Sequence, residues 1–173
     1  MKINKLLASV LICILLAACS QKTQYVHVGE NWEALSNLPE SRGIRVKLAT
    51  DKESYKVGQE IGLTVSANDQ GKVWVVGVGP RDDVTLIFPN KAQPENEIRR
   101  GEPLKLPPSG GDWFMKASEP TGVNMIVVLV AGAKSDTDEL QSALEEKDGQ
   151  SIRQALSKLK QCGASSKTIN IGK

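Results

Sequence analysis

Gly43-Ile44-Arg45-Val46-Lys47-Leu48-Ala49-Thr50 alternates apolar and polar residues along most of its length, the period of a strand that buries one face. Ile44, Val46 and Leu48 fall on one side, Arg45, Lys47 and Ala49 on the other. The same grammar continues downstream. Thr50 to Gly58 is a turn-rich link, after which Ile61, Leu63 and Val65 share a face. Asn68-Asp69-Gln70-Gly71 is a turn, Val73 to Val78 a dense apolar strand containing Trp74, and Pro80-Arg81-Asp82-Asp83 a reversal into Val84 to Phe88. A polar loop follows Pro89-Asn90 and runs to Gly101. Leu104 and Leu106 suggest a short strand closed by Pro107-Pro108-Ser109-Gly110-Gly111; Trp113 to Ala117 and Val123 to Ala131 complete the set. About seven short strands without intervening helices imply an all-β sandwich or barrel rather than a parallel α/β sheet.

The period changes on either side of this block. Near Ser135 it lengthens: Leu140, Ala143 and Leu144 fit a helix starting around Asp136, and Ile152, Ala155, Leu156 and Leu159 form a second stripe at i, i+3, i+4 and i+7. Gly163 is a helix stop, and Lys167 to Ile171 a final strand. The stripe reads as a face packed on its own domain. Upstream, Asn31 to Leu38 is a short helix sharing Trp32, Leu35 and Leu38, ended by Pro39 and Gly43. The expected class is mainly β: an Ig-like antiparallel β-sandwich with a small C-terminal helical hairpin.

The first residues address the chain. Lys2 and Lys5 precede an apolar run from Leu6 to Ala18, which ends in Leu16-Ala17-Ala18-Cys19. The run is shorter than the roughly 20 residues a spanning helix needs. The string closely resembles the lipobox of bacterial lipoproteins. That resemblance implies a diacylglycerol on the Cys19 sulfur, removal of residues 1–18 and acylation of the new amino group; two or more acyl chains make residence on a bilayer stable. Ser20 after the cysteine, where an aspartate would retain the protein at the inner membrane, implies transfer to the outer membrane, facing the periplasm. The expected organisation is a signal peptide over 1–18, a lipidated tether and short segment over 19–42, the sandwich over 43–133, and a helical addition with a final strand packed on the sandwich over 134–173.

Charge excludes one class of partner. The chain has 22 Lys and Arg against 20 Asp and Glu; Lys2 and Lys5 leave with the leader, so the mature protein is formally neutral. It has no basic stripe to neutralise phosphates, and no nucleic-acid partner is expected. Of three cysteines, Cys13 lies in the leader and Cys19 is lipidated. Cys162 therefore has no intramolecular disulfide partner and reads as a small apolar filler on a helix.

A second resemblance spans about Ile44 to Ala131. Ser54-Tyr55-Lys56-Val57-Gly58-Gln59-Glu60-Ile61, Leu86-Ile87-Phe88-Pro89-Asn90, Asn96-Glu97-Ile98, Gly101-Glu102-Pro103, Leu106-Pro107-Pro108 and Glu119-Pro120-Thr121-Gly122 are together similar to domain of unknown function 4384. That family implies a β-sandwich module of bacterial lipoproteins, also attached to caspase-like peptidases and protein kinases. It implies no reaction, because the chemistry there belongs to the other domain.

The residues themselves argue against catalysis. The single histidine, His27, lies in the tether, and no serine sits in a Gly-x-Ser-x-Gly elbow. One histidine and one thiol cannot build a structural zinc site. Asp69, Asp82 and Asp83 favour turns for backbone reasons rather than forming a calcium loop. Glu95, Glu97 and Glu102 lack an aromatic groove in which to stack a sugar. No enzyme, metal or cofactor is expected. The candidate partner-binding surface is the turn Phe88-Pro89-Asn90 with Asn96, Ile98 and Arg99 of the following loop. The expected function is an outer-membrane-anchored accessory that binds or scaffolds envelope proteins, with a secretion or trans-envelope machine as one setting. The alternatives are a glycan or small-ligand module and an inhibitor of an envelope hydrolase.

Overall fold

The computed structural model describes residues 29–173; the leader, Cys19 and His27 lie outside them. The chain runs α1 (Glu30–Ser36), β1 (Val46–Thr50), β2 (Ser54–Lys56), β3 (Leu63–Ala67), β4 (Gly71–Val78), β5 (Val84–Phe88), β6 (Glu97–Ile98), β7 (Leu104–Leu106), β8 (Gly122–Gly132), α2 (Asp138–Glu146), α3 (Gly149–Lys158) and β9 (Cys162–Gly172). Two sheets form: a small one ordered β1-β3-β7 and a large one ordered β2-β9-β8-β4-β5, with β6 also on β4. This is the β-sandwich that the periodicity implies.

The dense apolar runs follow from a third layer. Val73 and Val75 of β4 face the small sheet, in a core with Ile44, Val65, Phe88 and Val128. Trp74, Val76 and Val78 face the other way, onto Leu140, Leu144, Ile152 and Leu156 of the helices. β8 divides its residues in the same manner. A strand buried on both faces has no need of a polar alternate, whereas β1 covers one face and keeps it. Trp74 Nε1 donates to Gln141 Oε1 at 3.2 Å, tying sheet to helix.

α2 and α3 are an excursion between two paired strands. β8 and β9 form one long antiparallel ladder, from Gly122↔Ile171 to Ala131↔Cys162. Asp148 caps α3 by accepting the Ser151 N–H at 2.7 Å. At its other end the Arg42 guanidinium donates to the Leu156 and Ser157 carbonyls at 3.0 and 2.7 Å, filling acceptors that a helix terminus leaves open. Lys158 pairs with Glu139 across the hairpin.

Four local readings change. β9 is longer than Lys167 to Ile171 and lies inside the large sheet, between β8 and β2. Its pairing with β2 is parallel, Ser54↔Asn170, because the chain crosses after β1 from one sheet to the edge of the other. β2 itself occupies what reads as a link. Cys162 opens β9 rather than sitting on a helix; it is buried, with Sγ 3.6 Å from the Leu156 carbonyl. Trp113 to Ala117 makes no regular strand, only a bridge between Glu60 and Lys116 and bonds such as Ile61 N–H to Met115 C=O at 2.8 Å. Prolines and glycines before it and Pro120 after it keep the segment irregular.

Candidate functional site

The Phe-Pro-Asn turn closes on itself. Phe88 ends β5 fully buried, and Pro89 cannot extend the ladder because it lacks an N–H. The Asn90 side chain donates to the Ile87 carbonyl at 3.2 Å and accepts from the Ala92 and Gln93 N–H groups at 3.0 Å each. The Asn96 carbonyl accepts from the Val73 N–H at 2.7 Å. Ile98 is buried in the core. Arg99 is exposed and 3.7 Å from Glu102. Phe88 and Ile98 therefore offer no surface to a partner: burial removes both from the candidate set. Pro89, Asn90 and Asn96 are half-buried, and Arg99 alone projects.

The opposite end of β5 has a different character. β1, β2, β4, β7 and β9 finish there, and β3, β5 and β8 begin there, as the registers require. Between the two sheets the irregular 113–120 segment leaves two depressions of about 230 and 340 Å³ that share Ile61 and Met115. The first has Ile87, Ile126 and Ile169 in its wall; the second has Pro107, Trp113 and Phe114. Trp113 is held by its Nε1–H, which donates to Gln93 Oε1 at 3.0 Å. Phe114 next to it is 64% exposed, and Val57 at the same end 42%. They are the exposed large hydrophobic residues among the described residues. Lys116 Nζ lies 5.7 Å from the Phe114 ring centre, within cation–π range.

Asp51, beside the second depression, accepts the Tyr55 O–H at 2.6 Å and the Gly62 N–H at 2.7 Å. Partial burial opposes its charge, but those hydrogen bonds outweigh it and hold its carboxyl below the usual value. Burial, then the bond to Asp51, pushes the Tyr55 phenol up to about 12. Asp69 belongs to the far end of β4, where Arg100 and Gln161 donate to it at 2.8 and 3.0 Å. Asp82 and Asp83 are in the β4–β5 turn, so the three aspartates do not converge. Among the described residues no group of three or more His, Cys, Asp or Glu side chains is placed to hold a metal ion. None of their helices is long and apolar enough to cross a membrane.

The exposed Phe114 is the feature that sequence reading misses. As a strand, 113–117 should place one of two adjacent aromatics outward. That conflict, inside a Pro- and Gly-rich stretch, is the signal that was there to be read.

Most of the irregular end, though not Asp51, Ile169 or Ile171, falls within a segment that matches a known family. Residues 54–134 match the family described as domain of unknown function (DUF4384). The match begins at β2 and stops after β8, so β1, α2, α3 and β9 fall outside it, and it starts later than Ile44. No curated protein matches the chain. Among solved structures, the crystal structure of Spo0M, a sporulation control protein from Bacillus subtilis, aligns with a TM-score of 0.41 at 10% identity. The alignment covers 76% of this chain and 50% of that one, so the chain spans half the length of that structure.

Proposed function

We propose that the protein is an outer-membrane lipoprotein, anchored through Cys19, whose β-sandwich binds other envelope proteins as an accessory of a secretion or other trans-envelope assembly. The observation that carries this reading is Leu16-Ala17-Ala18-Cys19 at the end of the apolar run, followed by Ser20. The end of the sandwich around Phe114 adds support for the binding role. An aromatic side chain 64% exposed in the wall of the second depression extends its apolar surface, and contiguous exposed apolar surface marks interaction sites. Anchoring raises local concentration, so a modest interface is enough for occupancy.

Crosslinking the full chain in intact envelopes, then purifying it under denaturing conditions, tests the binding role. A stoichiometric protein adduct with crosslinks inside 29–173 is expected. Adducts confined to glycan, or none at all, would contradict it.

A further inference from the structure

The two depressions and the charges around them specify a ligand more narrowly. Their charged wall residues are Asp51, Glu60, Asp83 and Glu119 against a single lysine, Lys116, which already lies against Phe114. Lys52 also acts on Asp51 from the adjoining turn, and the walls themselves stay net acidic. The depressions share the wall residues Ile61 and Met115, and each has the size of a large side chain rather than of a whole folded element. The first opens beside Thr85 and Ile87 of β5, the strand that ends the order of the large sheet. An edge with no further strand partner among the described residues, next to side-chain-sized pockets, suits an extended chain. A bilayer suits it less, since the acidic rim repels anionic headgroups.

We propose that these two neighbouring depressions bind an extended peptide segment of a protein partner, in which bulky apolar side chains are flanked by lysine or arginine. The apolar side chains fill the depressions against Ile61, Met115 and Phe114. The cations face Glu60 and Asp51 on one side and Asp83 and Glu119 on the other. This rests on the protein-binding reading above and assigns it a site.

The test uses the full chain in bilayer nanodiscs. The probe is a labelled nine-residue peptide alternating lysine with leucine or phenylalanine, read by fluorescence anisotropy. Two control peptides carry glutamate for lysine, or serine for the apolar residues. Phe114 and Glu60 are exposed, so Phe114→Ser and Glu60→Lys should leave the fold intact; Glu146→Lys, on exposed α2 surface, is the charge control. The expected result is binding of the first peptide alone, weakened at least tenfold by Phe114→Ser and by Glu60→Lys and less than twofold by Glu146→Lys. Equal losses with both lysine substitutions, or equal binding of the serine peptide, would reduce the effect to net charge and overturn the proposal. Peptide binding that is unchanged in Phe114→Ser would also overturn it. Envelope crosslinks that survive both Phe114→Ser and Glu60→Lys would leave the binding role standing and sink this site.

Discussion

Asn31 and Asp82 hold the start of the first helix to a turn of the large sheet. The Asn31 N–H donates to Asp82 Oδ2 at 3.0 Å, and its side-chain amide donates to the Asp82 carbonyl at 2.9 Å. The other carboxylate oxygen of Asp82 accepts the Trp32 N–H at 2.8 Å. Asn31 Oδ1 accepts the Gly149 N–H at 2.7 Å, at the start of α3. One pair of side chains thus joins α1, the β4–β5 turn and the helical layer. A cap supplied fifty positions away is tertiary structure, and no local motif announces it.

Asp82→Ala should cost about 0.5–2 kcal/mol, the usual price of losing a helix cap. Asp82 also has φ of 65°, which alanine tolerates less well than aspartate or asparagine. Asp82→Asn, with one acceptor left, should recover part of the loss. Urea denaturation of the three proteins checks the order.

Gly29→Ala should be as damaging, for a different reason. A Cβ there would lie 2.1 Å from Asp82 Cγ, so the carboxylate must move and leave the Asn31 and Trp32 N–H groups. If Gly29→Ala matches the wild type in the same denaturation series, the cap contributes little.

Leu156 is fully buried between α3 and the large sheet, with Ile152 and Leu144. Leu156→Ala should cost about 2–5 kcal/mol through lost burial and the cavity left behind. A denaturation curve that overlays the wild type would mean that the stripe is not core.

The Tyr55–Asp51 pair sets a pH dependence at both extremes. The phenol pKa is raised from 10.0 to about 12, so its contribution to stability is complete below about pH 10 and is lost as pH rises through 12. The Asp51 carboxyl is lowered from 3.8, so its contribution is present above that value and is lost as pH falls through the lower, folded one. Tyr55→Phe should remove the late-titrating phenol from an absorbance titration and flatten the alkaline limb of stability. An unchanged titration would place the high pKa elsewhere.

Strands and stripes were legible wherever one face is wet. Ile44, Val46 and Leu48 alternate because β1 covers the core on one side, and the Ile152 stripe repeats because α3 does the same. The start of β9 was not legible. Cys162-Gly163-Ala164-Ser165-Ser166 has no strand pattern, and pairing with β8 decides its conformation. Gly163 is required there, since a Cβ would lie 2.1 Å from the Ile44 carbonyl oxygen. The candidate site was legible only in part. Turn residues drew attention to Phe88 and Ile98, which are core. The exposed aromatic is instead Phe114, where two adjacent aromatics cannot both turn inward.

The lipid anchor at Cys19 is the central claim, and the mass of the N-terminal peptide from the membrane fraction tests it most directly. Cys19 should be the first residue and carry both a thioether-linked diacylglycerol and an amide-linked acyl chain. Cys19→Ser should instead accumulate unprocessed precursor, because a hydroxyl is a far poorer nucleophile than a thiolate. An unmodified Cys19, or a mature chain beginning elsewhere, would contradict it.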